Sequence, residues 1–148
     1  MKTLHKGIAL LLLLFTSNQI LAQSNPIRQN ALFRGSAEKL AVTTNELDKA
    51  FTAPKGTVVS FKFQDLVFKG EVVSNIKRYE NLHTVIVRSA TLDNSLLSIS
   101  KRINDDQTIS YVGRILNERS ADGYELTKNA DGAYNFKKIK TDELLQDF

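Results

Sequence analysis

The chain contains no cysteine. A thiol-free protein has no disulfide framework, no thiolate zinc site and no cysteine to carry an acyl-lipid anchor, so its stability must come from a packed core. Histidine is nearly as scarce, with only His5 and His83 in 148 residues, which excludes zinc held by several His or Cys ligands. No apolar run reaches the roughly 20 residues that cross a bilayer, since the N-terminal one, Gly7 to Phe15, is far shorter. No stable membrane anchor is therefore expected. Charge of one sign is not clustered either. A nucleic-acid footprint needs positive charge gathered on one face, whereas acids and bases alternate here, so nucleic acid is not an expected partner.

The N-terminus has the three parts of a cleavable export signal in order. Met1 to Lys6 carries two lysines and no acid, Gly7 to Phe15 is apolar, and Thr16 to Ala22 ends in Ile-Leu-Ala, with the cut expected after Ala22. A soluble product is expected, periplasmic if the producer has two membranes and extracellular otherwise. Of the 20 lysines and arginines, Lys2 and Lys6 leave with the signal, so 18 remain against 16 acids, a net charge of +2. Residues 23–148 suffice for one ordinary domain.

Residues 23–42 read as a flexible lead, polar from Gln23 to Arg34. Thr43 and Glu46 then stand at capping-box spacing, and Leu47, Ala50 and Phe51 share a helical face. The spacing predicts a helix of about two turns, ended by Ala53-Pro54-Lys55-Gly56. From Thr57 the period becomes two. Phe61 and Phe63 alternate with Ser60 and Lys62, and Leu66, Phe68, Val72 and Ile76 alternate with Lys69, Glu71 and Lys77, with Gly70 placed to make a bulge or bend. Turn residues at Glu80-Asn81, Asp93-Asn94, Asn104 to Gln107, Ser120 to Gly123 and Asn129 to Gly132 separate further alternating runs. The fold class expected over residues 43–140 is mainly β, an antiparallel meander of about seven short strands, barrel-like or sandwich, preceded by one short helix. Two hairpins can be put in register. A loop closed by Asn104 and Thr108 sets Ile103 opposite Ile109, Ile99 opposite Gly113 and Leu97 opposite Ile115, and a left-handed Gly132 sets Leu126 opposite Phe136. Phe61, Phe68, Ile99, Ile109, Tyr111, Leu126 and Phe136 are the expected core. Residues 141–148 form an acidic tail.

No catalytic constellation emerges. His83 lacks a Gly-x-Ser-x-Gly partner motif and reads as a sheet-surface residue. Asn104-Asp105-Asp106 reads as a turn, without the spaced acids of a calcium loop. Glu71 and Glu125 read as solvated strand residues, with an acid pair as the sharper alternative. Arg102, Arg114 and Arg119 are the tentative binding surface, for a carboxylate or an anionic glycan, against the plainer reading of strand arginines facing solvent beside acids. Tyr79, Tyr111, Tyr124 and Tyr134 could line a binding face, but Tyr111, Tyr124 and Tyr134 share the apolar phase of their strands and read as core. No catalytic residue, metal or cofactor is expected.

Asn45 to Pro54, Leu97-Ser98-Ile99-Ser100, Tyr111-Val112-Gly113-Arg114-Ile115 and Tyr124-Glu125-Leu126 follow an order that resembles the pro-region of secreted reprolysin-type zinc metallopeptidases. There a leucine-bearing short helix ending in Ala-Pro precedes strands with a Gly-Arg-Ile step and a Tyr-x-Leu strand. The resemblance covers about residues 45 to 139. It implies a folded chaperone or inhibitory module only, because the sequence has no His-Glu-x-x-His, no following catalytic domain and no cysteine for a thiolate zinc switch. The expected function is that of an exported, non-enzymatic binding module with a protein or glycan partner in the envelope. The alternative is a pro-domain-like inhibitor or chaperone of a secreted metallopeptidase.

Overall fold

The computed structural model describes residues 30–141. The export signal at residues 1–22, the first part of the lead and the acidic tail after Thr141 lie outside the described residues. Nine elements follow one another: β1 (Lys39–Val42), α1 (Thr44–Thr52), β2 (Val58–Phe63), β3 (Leu66–Tyr79), β4 (Leu82–Ser89), β5 (Leu96–Ile103), β6 (Ile109–Leu116), β7 (Asp122–Lys128) and β8 (Tyr134–Lys140). All strand pairs are antiparallel, in the order β1-β8-β7-β6-β5-β4-β3-β2. The sheet is therefore a meander, with β1 added beyond β8, and it curls into a half-barrel.

The curl brings the two ends of the sheet together around the core. Phe63 of β2 packs against Phe136 of β8 with ring centroids 4.8 Å apart, and the Ala41 N–H of β1 donates to the Gln64 side chain at 3.2 Å. Helix α1 covers part of the remaining gap. Thr43 caps it, its hydroxyl accepting from Glu46 N–H at 3.2 Å, and Leu47 and Ala50 are fully buried. The Glu46 carboxylate does not complete a reciprocal capping box. It accepts from the Lys62 amide on the outer edge of β2 at 2.7 Å, so the helix satisfies a donor that an open sheet edge would leave exposed.

Both hairpin registers hold: Ile103 faces Ile109, Ile99 faces Gly113, Leu97 faces Ile115 and Leu126 faces Phe136. The expected class, a mainly β antiparallel meander with one short helix, is the one the chain adopts. An eighth strand joins it, and the expected flexible lead over residues 23–42 is packed over its described part, residues 30–42: β1 pairs with β8 and Phe33 is buried against Tyr124, ring centroids 5.1 Å apart. A four-residue strand shows too little alternation to be read, and its partner lies almost a hundred residues away. The helix precedes the meander β2 to β8, as expected, and follows the added β1. Gly70 is not a bulge. It pairs in register with Ser89, and a Cβ there would lie 2.3 Å from the Arg88 carbonyl oxygen, so glycine is needed for close approach.

The register shifts instead between Val72 and Ser74, and again between Lys77 and Tyr79. The first extra residue changes the phase of the stretch that follows it, so Ile76, in phase with Val72 by sequence, turns outward and is 47% exposed. Ile109 is also corrected: it is 44% exposed, because the Ile103–Ile109 pair lies at the hairpin end of its strands, past the buried stretch. Phe61, Phe68, Ile99, Tyr111, Leu126 and Phe136 are buried as expected.

Candidate functional site

The centre of the sheet carries apolar residues on both faces. Val85 and Val87 of β4 are buried, which turns Ile86 between them outward. By the same alternation Leu97 and Ile99 face in while Leu96, Ser98 and Ser100 face out, and Tyr111 and Ile115 face in while Val112, Arg114 and Leu116 face out. The registers align these outward residues in rows, Ile76–Thr84–Ser100–Val112 and Ser74–Ile86–Ser98–Arg114–Glu125. Over β4, β5 and β6 the outward residues line an open concavity of about 530 Å³, walled by Ile86, Leu96, Val112 and Leu116 over a floor of Ser98, Ser100 and Gly113.

The concavity follows from how β6 and β7 separate. They pair in register only at Arg114–Glu125 and Ile115–Tyr124, whereas β7 and β8 pair over seven positions. Further along β6, the Tyr111 amide donates to the Tyr134 hydroxyl at 3.2 Å rather than to a strand neighbour. Gly113 lies where the strands part. A Cβ there would sit 2.8 Å from the Ser98 carbonyl oxygen, so any side chain would push β6 away from β5.

A polar cluster occupies the opposite face, under α1. Asp48 accepts from Lys101 Nζ and from the Tyr111 hydroxyl through one oxygen, both at 2.8 Å. Burial, then the Asp48 hydrogen bond and charge, push the Tyr111 phenol well above its ordinary range. His83 lies half-buried against the Phe51 ring, centroids 4.9 Å apart, rather than on the open sheet surface. Asn75 uses its amide nitrogen on the Phe51 and Ala53 carbonyls at the end of α1, so its oxygen accepts from His83 Nε2. Burial, then the Lys77 and Lys101 ammonium groups, hold His83 below its ordinary value. These groups bond to one another across the helix–sheet boundary, and together they clasp α1 to the sheet. Among the described residues no group of three or more His, Cys, Asp or Glu could hold a metal ion. No described helix is long and apolar enough to cross a membrane.

The three arginines proposed from sequence are all exposed but do not converge. Arg114 faces the outer concavity and donates to Glu125 at 2.8 and 3.0 Å. Arg102 shares that face, opposite Ser110, four positions and so about 13 Å along the strand from Arg114. Arg119 lies beyond the end of β6, its amide donating to Asn117. Glu71 and Glu125 stand on β3 and β7, opposite Arg88 and Arg114, and form no acid pair.

No protein-family model, no curated protein and no solved structure matches this chain. The reading of its surface therefore rests on its own residues. The outward apolar set was missed by assigning one apolar phase per strand. Its signal is present in Val85-Ile86-Val87, Leu96-Leu97 and Ile115-Leu116, where adjacent apolar residues mark strands that are apolar on both faces.

Proposed function

We propose that the protein is an exported, non-enzymatic binding module that receives a partner protein on the outward face of β4, β5 and β6. The observation that carries this reading is the open apolar concavity walled by Ile86, Leu96, Val112 and Leu116. The inner face of the same strands is already filled by the core, and these outward side chains are not part of it. Contiguous apolar surface of this kind, rimmed by polar groups, is typical of interaction sites. A protein fits better than a glycan, because no aromatic ring lines the concavity: Tyr111, Tyr124 and Tyr134 are buried on the other face, and the exposed Tyr79 stands at the far end of β3, away from it. Export is supported by the signal-like order of residues 1–22.

Photo-crosslinking in the producing cell tests the reading. A photoreactive residue at Val112, which is 63% exposed, should give a discrete protein adduct. The same residue at Val67, 56% exposed on β3 and outside the concavity, should give none. Recovery of a secreted metallopeptidase at position 112 would make the module the pro-domain-like inhibitor or chaperone. No adduct at position 112, or the same adduct from both positions, would overturn the proposal.

A further inference from the structure

The charge around the concavity points to the chemistry of its occupant, and the inference rests on the outward face being the docking surface. We propose that the partner presents an extended segment in which apolar side chains alternate with carboxylates. Outward positions beside the apolar walls carry Arg88, next to Leu96 in the cross-strand row, and Arg102, two residues past Ser100. The row through Arg114 and Glu125 continues to Lys137 and Lys39. None of Arg88, Arg102, Lys137 and Lys39 makes an ion pair among the described residues. The acids of this face are only Glu71, directly opposite Arg88, and Glu125, already engaged by Arg114, so cations outnumber them.

Lys39 and Lys137 stand directly opposite each other across β1 and β8, a like-charge placement that weakens a sheet unless an anion relieves it. The surface thus offers apolar contact at its centre and an excess of positive charge at its rim. An acidic, apolar segment satisfies both at once. A basic segment would meet repulsion, and a purely acidic one would leave the walls in contact with water. The recessed floor of Ser98, Ser100 and Gly113 admits single side chains, which favours a protein segment over a flat anionic bilayer.

Calorimetric titration of the protein with synthetic peptides tests this. The probes are an alternating Asp-Leu hexapeptide, its Lys-Leu and Asp-Ser counterparts, and phosphatidylglycerol vesicles. The Asp-Leu peptide should bind, and the other three should bind at least about tenfold more weakly, about 1.4 kcal/mol. Lys137→Glu and Lys39→Glu, both at exposed positions, should each weaken the Asp-Leu peptide by several-fold with the fold retained, the thermal midpoint of Lys39→Glu rising slightly as the like-charge pair is removed. Raising ionic strength from about 0.01 to about 1 M, which shortens the screening length from about 30 to about 3 Å, should weaken it as well. Equal binding of the Lys-Leu peptide, preference for the vesicles, or indifference to both lysine reversals would overturn the acidic-segment proposal. If crosslinking at Val112 succeeds while these titrations fail, the docking surface stands and only its charge preference falls. If both fail, the surface itself is wrong.

Discussion

Two hairpins of the same build differ at their left-handed residue. In each, an asparagine amide closes the loop on a carbonyl four positions later, Asn104 on Thr108 at 2.9 Å and Asn129 on Ala133 at 2.8 Å. The left-handed position is Gln107 in the first, with φ 66°, and Gly132 in the second, with φ 87°. A side chain in that conformation costs about 1–2 kcal/mol, partly offset by the greater entropy that glycine loses on folding. Gln107→Gly should therefore raise unfolding stability by about 0.5–1 kcal/mol, read as a higher denaturant midpoint with an unchanged slope. Gly132→Ala should lower it by a similar amount. A lowered midpoint in Gln107→Gly would show that the glutamine side chain contributes contacts worth more than its backbone strain.

At the scale of elements, two anchors hold the pieces that the meander alone does not. The first is the buried carboxylate of Asp122 at the start of β7. It accepts from the Phe33 amide through both oxygens at 3.1 Å and from the Ser120 hydroxyl at 2.6 Å. Asp122→Ala would strand these donors in a buried site, and each buried unsatisfied donor costs about 1–3 kcal/mol. The variant should lose stability, and hydrogen exchange at Phe33 and along β1 should quicken more than in β4 and β5. Uniform quickening across all strands would mean that the segment before β1 has no separate anchor. The second anchor joins α1 to His83 through Asn75. Since the folded pKa of His83 lies below its unfolded value, both states hold a neutral ring above that unfolded value and stability there is flat. As pH falls through the ordinary histidine range, the unfolded chain takes up a proton first, and stability declines until the folded pKa is passed. His83→Gln should remove that part of the decline in urea midpoints measured between about pH 7 and about pH 5. An unchanged profile would assign it to other groups.

Over the whole molecule, what could be read from the sequence divides by the range of the interactions that decide it. The helix was legible because Thr43, Glu46, Leu47 and Ala50 lie within one short stretch. The two hairpin registers were legible because their turn residues and flanking alternation are adjacent. The pairing of β1 with β8 and the phase shift at Val73 were not legible, because each depends on a partner strand whose position the local pattern does not encode. The same holds for the surface. Arg102, Arg114 and Arg119 are close in sequence but are spread over two strands of one sheet face and a loop. The concavity, by contrast, assembles Ile86, Leu96 and Val112 from three strands.

The central claim is that this assembled outward face is where the protein meets its partner. The most direct measurement compares Val112→Glu with Val67→Glu, two changes of the same kind at exposed strand positions, in protein purified and used to retain partners from the producer's envelope and medium. Both variants should keep the wild-type thermal midpoint. Val112→Glu should lose at least about nine-tenths of the retained partner, a tenfold change of about 1.4 kcal/mol, while Val67→Glu retains it. Equal retention by the two variants, with both folded, would contradict the account.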